Sequence, residues 1–228
     1  MALNIVKKID DRVVVRNVLI SVSDKSGLED FIPGLVVAQP QVKLLSTGGT
    51  FAAIRAILGA EDAHRYLVPV SDYTGQPEMQ GGLVKTLDFR IYLGLLSETY
   101  NVAHRNDLSR TGAMTIDMVV VNLYPFQQTI ARADLTPELA RTNIDIGGPC
   151  MVRAAAKNYL RVASVTDPAD YPAILAELTA NNATLSLATR FGLMCKAFAH
   201  TAAYDTAIAG HFAGLDPASI DGHYEIGC

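Results

Sequence analysis

Four short apolar runs constrain this chain more than any other feature: residues 17–22 (N-V-L-I-S-V), 42–45 (V-K-L-L), 66–70 (Y-L-V-P-V) and 117–123 (D-M-V-V-V-N-L). Runs of this length, bounded by turn residues, fit buried strands better than helices. Because they do not alternate polar with apolar residues, both faces must be covered, as in a parallel sheet. Helical spacing fills the gaps. Leu28, Phe31, Ile32 and Leu35 make one stripe; Phe51, Ile54 and Leu58 make another. Strands alternating with helices predict an α/β fold, a doubly wound parallel sheet with helices on both faces. Residues 161–165 suit a further strand, and beyond about residue 167 the pattern turns wholly helical. Tyr171, Ile174 and Leu178 mark one helix there. Leu187, Phe191, Met194 and Phe198 mark the core face of a longer one ending near Gly214. The expected organisation is an N-terminal arm or edge strand (1–16), one domain with a helical C-terminal extension (17–214), and a tail (215–228).

Local signals refine these elements. Ser26 and Glu29 fit the S-x-x-E capping box, Pro33 should kink or shorten the first helix, and Gly59 can close the second. Thr136-Pro137 reads as a cap followed by a first-position proline. Residues 98–115 read as a surface helix and turn.

Composition excludes several classes. Half of the 228 residues are hydrophobic and 18% are charged, which supports a substantial core. A net charge of −4 leaves no basic footprint for nucleic acid. Cys150, Cys195 and Cys228 form no C-x-x-C pair and read as reduced cytosolic thiols, and the five histidines lack ligand spacing, so no metal site is expected. No signal segment and no membrane-length apolar run appear, so a cytoplasmic protein with no membrane partner is expected.

Two loops stand out as ligand cradles. Ser23-Asp24-Lys25-Ser26-Gly27 and Ser46-Thr47-Gly48-Gly49-Thr50 each carry a strand into a helix, where hydroxyls and free N–H groups suit a phosphate. The second loop matches neither a standard nucleoside triphosphate motif nor a dinucleotide motif. Asn122 lies near the end of the clearest strand, at the sheet edge where open α/β folds bind ligands. Residues 143–158 (N-I-D-I-G-G-P-C-M-V-R-A-A-A-K-N) read as an approach, a Gly147-Gly148 turn, and a helix opened by Pro149. Asp145 precedes that turn and Lys157 follows it, so a carboxylate, an ammonium and free N–H groups surround one turn. On spacing alone, a plain Gly-Gly turn with a solvated lysine is the commoner reading.

Several stretches in the same order resemble one family: L-I-S-V-S-D-K-S-G-L (19–28), L-L-S-T-G-G-T (44–50), V-S-D-Y-T-G-Q-P-E-M (70–79), V-K-T-L (84–87), D-M-V-V-V-N-L-Y-P-F (117–126), residues 143–158, and K-A-F-A-H-T-A-A-Y-D-T-A-I-A (196–209). Together they resemble the IMP cyclohydrolase domain of the bifunctional AICAR formyltransferase/IMP cyclohydrolase of purine biosynthesis. The resemblance implies a methylglyoxal synthase-like fold and a ring closure. The carboxamide nitrogen of 5-formamidoimidazole-4-carboxamide ribotide (FAICAR) attacks its formyl carbon, and water leaves to give IMP, with no organic cofactor and no metal. It also implies a homodimer.

By the same resemblance, Ser23, Asp24, Lys25, Thr47, Gly48, Gly49 and Thr50 match the loops that hold the nucleotide phosphate and ribose. Thr86, Asn122 and Ile146 match further substrate contacts. Lys85, Tyr124, Asp145 and Lys157 match the reacting end, with Lys157 and Tyr124 expected to move protons while Lys85 faces the oxyanion. The chain departs from the family's usual G-R-V-K-T-L-H-P-K-(I/V)-H at Leu83, Asp88 and Tyr92, where a basic residue and two histidines are replaced; Arg90 is a candidate to restore the charge. No formyltransferase half follows residue 228, so a natural end and a separate formyltransferase are expected. The alternative is a nucleotide-binding or sensing module of the same fold.

Overall fold

The computed structural model describes residues 5–77, 84–217, 220, 222–225 and 227. Along the chain run β1 (Arg12–Val14), β2 (Asn17–Val22), α1 (Leu28–Ala38), β3 (Lys43–Ser46), α2 (Gly48–Tyr66), β4 (Leu67–Pro69) and α3 (Val70–Thr74). Then come α4 (Phe89–Leu96), α5 (Val102–Thr111), β5 (Met118–Asn122), α6 (Phe126–Ile130), α7 (Pro137–Thr142) and α8 (Gly147–Lys157). The chain continues through β6 (Ala163–Val165), a 3-10 turn at Pro168–Asp170, α9 (Tyr171–Ala180), β7 (Thr184–Ser186) and α10 (Leu187–Ala213).

Five strands form the expected parallel sheet in the order β4-β3-β2-β5-β6. Period-two geometry divides their side chains between two cores. Val18, Ile20 and Val22 of β2 point to the side covered by α1, α2 and α9, whereas Leu19 points to the side of α4 and α8. Helix α10 contributes Leu193 to the first core and Ala197 and Tyr204 to the second. The order reverses between β2 and β5, and such a switch point opens a crevice at the carboxyl ends of the strands.

Where elements differ from the sequence reading, a specific contact explains it. No Ser26 capping box forms: α1 starts after Gly27 in a left-handed conformation, and Ser26 instead gives its N–H and hydroxyl to Asp24. Helix α1 runs on from Pro33 to Ala38. Gly59, at φ 74° and ψ 176°, interrupts α2 rather than ending it. The C-terminal region is not wholly helical, because β7 pairs antiparallel with β1, resolving the arm-or-strand choice for residues 12–14.

The buried face of α10 is Arg190, Leu193, Ala197, Thr201 and Tyr204, while Phe191 is 49% exposed against Tyr159. Arg190, 1% exposed, donates to the carbonyls of Asp10, Asp11, Tyr159, Leu160 and Leu185, tying the N-terminal arm to the extension. Thr136 caps α7 by accepting from Leu139 N–H, and Cys150 and Cys195 are free thiols. Among the described residues no helix is long and apolar enough to cross a membrane, and no cluster of His, Cys, Asp or Glu is placed to hold a metal.

Candidate active site

A cavity of about 550 Å³ opens at the switch point, walled by the loops after β2, β3 and β5, by the segment 84–87, and by the turn that enters α8. Its walls are built by backbone accounting. Strand β3 pairs with β2 only as far as Ile20 opposite Ser46, so Val22 N–H and C=O, which face that side, lose their sheet partner. The Thr50 hydroxyl replaces it, accepting from Val22 N at 3.1 Å and donating to Val22 O at 3.0 Å. On the other side, Asp24 N donates to Asn122 Oδ1 and Asn122 Nδ2 donates to Asp24 O, each at 2.8 Å. These two clamps fix the end of β2 to the first turn of α2 and the loop after it to the end of β5.

The candidate side chains converge on the glycines. Gly48 opens α2 at φ 51°, a left-handed value that glycine adopts at little cost, and a Cβ there would sit 3.3 Å from Lys85 Nζ. A Cβ on Gly147 would meet Thr86 Oγ1 at 2.8 Å, and one on Gly148 would meet Asp145 Oδ2 at 2.3 Å and Leu123 Cδ2 at 2.7 Å. Lys85, Thr86 and Asp145 therefore lie against the first turns of α2 and α8, whose free N–H groups favour anions. Val84, a β-branched residue at φ 68°, is a genuine outlier, and strain of this kind costs about 1–3 kcal/mol. It forms the bend from which Lys85 and Thr86 enter the cavity wall.

Asp145 Oδ1 accepts from Gly148 N at 2.9 Å. Burial pushes its carboxyl above the ordinary carboxylate value, and the Gly148 N–H opposes that shift. A half-buried carboxyl with a raised pKa, in a cavity that Lys85 also lines, can exchange protons with a bound ligand. Tyr124 and Ile146, each more than half exposed, present phenol and aliphatic surface to the same cavity.

The cavity thus brings together Ser23, Lys25, Thr47, Gly48, Gly49, Thr50, Lys85, Thr86, Asn122, Tyr124, Asp145 and Ile146. Thr50 and Asn122 are engaged mainly as clamps. Asp24 faces an adjoining cleft, and hydrogen bonds from the Ser26 hydroxyl and N–H hold its carboxyl below the usual range. Lys157 does not join the group. It is the last residue of α8, ten residues beyond Gly147, which places their backbones about 15 Å apart at 1.5 Å per residue. Its side chain is exposed and lines no part of the cavity.

Leu83 lies outside the described residues. Asp88 has become the cap of α4, accepting from Arg90 N at 2.7 Å, and Arg90 donates to Tyr73 O at 2.9 Å rather than lining the cavity. Tyr92 is partly buried beside Cys150, and burial of its hydroxyl pushes the phenol up. Missed from sequence was Tyr204, whose hydroxyl accepts from Asp145 N at 2.7 Å. Its only sequence signal was its place in the stretch 196–209.

Comparison with known proteins fits this architecture. The MGS-like domain model matches residues 27–150, and the AICARFT/IMPCHase bienzyme model matches residues 155–226. The bifunctional purine biosynthesis protein PurH of Neisseria meningitidis serogroup A is 47% identical over 213 residues, covering 93% of this chain. PurH of Neisseria gonorrhoeae is 48% identical over 214 residues, covering 94%. The chain spans 39% of the length of either relative. The crystal structure of ForH superposes with a TM-score of 0.71 at 30% identity, covering 86% of this chain and 98% of that one.

Proposed function

Because the chain belongs to the MGS-like domain family and continues into sequence of the AICARFT/IMPCHase bienzyme family, we propose that it is an IMP cyclohydrolase, closing the purine ring of FAICAR to give IMP and water. The observation that carries this reading is the convergence of Lys85, Thr86, Tyr124 and Asp145 on one cavity floored by two helix N-termini.

Lys25 and the N–H groups at Gly48 and Gly49 hold the phosphate, and the exposed faces of Tyr124 and Ile146 hold the imidazole. Holding the carboxamide against the formyl group makes the attack intramolecular, which accounts for much of the acceleration. As the C–N bond forms, the carboxamide nitrogen loses a proton to Asp145, whose raised pKa suits a base that must later give the proton back. The formyl oxygen becomes an oxyanion facing Lys85. It is protonated twice, by the proton taken from the carboxamide nitrogen and by the one given up by the formamido N–H, and it leaves as water. The electron pair left on the formamido nitrogen forms the C=N bond of the closed ring. Tyr124, on the same cavity wall, relays protons in this reading. Lys157 is left out of this scheme because of its distance from the cavity. The reading extends to a homodimer, to a cytoplasmic setting and to a formyltransferase activity that supplies the substrate.

IMP formation from FAICAR, followed by ultraviolet absorbance without folate or metal, tests it. Saturable turnover abolished by Lys85→Ala supports a cyclohydrolase. No turnover, with tight IMP binding retained, supports a nucleotide-binding module instead.

A further inference from the structure

We infer that Tyr204, on α10 and outside the cavity, is a positioning residue that sets the Asp145 carboxyl for the reaction proposed above, on which this inference rests. Its hydroxyl accepts from Asp145 N at 2.7 Å and donates to Asn143 O at 3.4 Å, so one oxygen bridges the two ends of the turn leading into α8. Among the described residues no neighbouring strand or helix offers that turn a second anchor of this kind: Asn143 N and Ile144 N bond back into α7, and Asp145 Oδ1 bonds forward to Gly148 N.

The Tyr204 ring, 8% exposed, also packs edge-on against Phe126 at 6.3 Å between centroids. Phe126 lies two residues after Tyr124 and is 1% exposed. One side chain therefore touches the supports of both reacting-end residues, Tyr124 on the loop after β5 and Asp145 on the turn before α8. Burial raises the Tyr204 phenol above its ordinary value, so it stays protonated and keeps both roles, acceptor and donor, across the working pH range.

The test is Tyr204→Phe, which keeps the ring and removes the bridge. With Asp145 freed to turn toward water, kcat for IMP formation should fall by roughly 10–100-fold, since small misplacements of a reacting group cost this much. KM should change far less. The acid limb of the kcat profile should move down, toward the ordinary carboxylate value, and the Asp145 amide should exchange faster with solvent. Leu193→Ala, which empties the other core about three turns back along the same face of α10 without touching the bridge, supplies the control for lost stability. Its kcat and acid limb should stay with the parent. An active parent with an unchanged Tyr204→Phe profile overturns this inference alone, as does a matching kcat loss in Leu193→Ala. An inactive parent overturns the cyclohydrolase reading and this inference with it.

Discussion

Replacing Thr50 with valine removes one oxygen and keeps the shape of the side chain, yet it should be among the costlier single changes at the site. Thr50 is 5% exposed, so water cannot take the place of its hydroxyl. Both backbone groups of Val22 depend on it, the N–H at 3.1 Å and the carbonyl at 3.0 Å, because β3 has already turned away. Each orphaned buried group costs about 1–3 kcal/mol, so the pair should cost about 2–4 kcal/mol after partial relaxation. For a chain of this size that corresponds to a fall in Tm of roughly 5–15 °C. Denaturant unfolding of Thr50→Val against the parent measures the loss, and hydrogen exchange at the Val22 amide locates it. Thr50→Ser retains the hydroxyl and should recover most of the difference. A valine variant within 0.5 kcal/mol of the parent, with Val22 still protected, would refute the claim that this hydroxyl replaces the missing strand.

Other expectations rest on separate contacts. Asp145→Asn keeps an acceptor for Gly148 N–H but cannot cycle a proton, so IMP formation should be lost. Because burial raises the Asp145 pKa, its stabilising contribution is present below the unfolded-state value and is lost as pH rises through the folded value. Asp145→Asn should therefore melt above the parent at pH 7 and converge with it near pH 4, as thermal scans at both pH values would show; a variant less stable at pH 7 would contradict the assignment. Asp117 and Arg161 form a buried pair at 3.0 Å, and Asp117 Oδ2 also accepts from Arg16 N and Asn17 N. Asp117→Ala leaves the Arg161 guanidinium uncompensated in the core and should cost about 3–5 kcal/mol in chemical denaturation.

Much of the site could be read because its residues sit on loops that follow recognisable strands. Lys25, Thr47, Gly48 and Gly49 follow directly from a strand, a hydroxyl-glycine cluster and a helix start. Assigning Asn122 and Thr50 to substrate was reasonable from their position but incomplete. Their polar atoms answer backbone groups more than twenty residues away, a debt visible only once the strand register is known. Asp88 looked like a defect in a binding motif, whereas its local contact makes it the cap of α4.

The sequence by itself determined the strand–helix alternation, the parallel sheet and the two strand-to-helix loops that line the cavity. These follow from side-chain period, strand length and local turn chemistry, all short-range properties. The tertiary structure decided which charged groups meet. Asp145 and Lys157 lie twelve positions apart in one motif, but the rise of α8 carries Lys157 away from the cavity. Tyr204 lies 59 positions from Asp145 and reaches its N–H because α10 packs on α8. Arg190 has no local signal that marks it as buried, yet the arm, residues 159–160 and Leu185 surround it with five carbonyls. Proximity of this kind comes from the closure of long loops around a shared core, and no local periodicity encodes it.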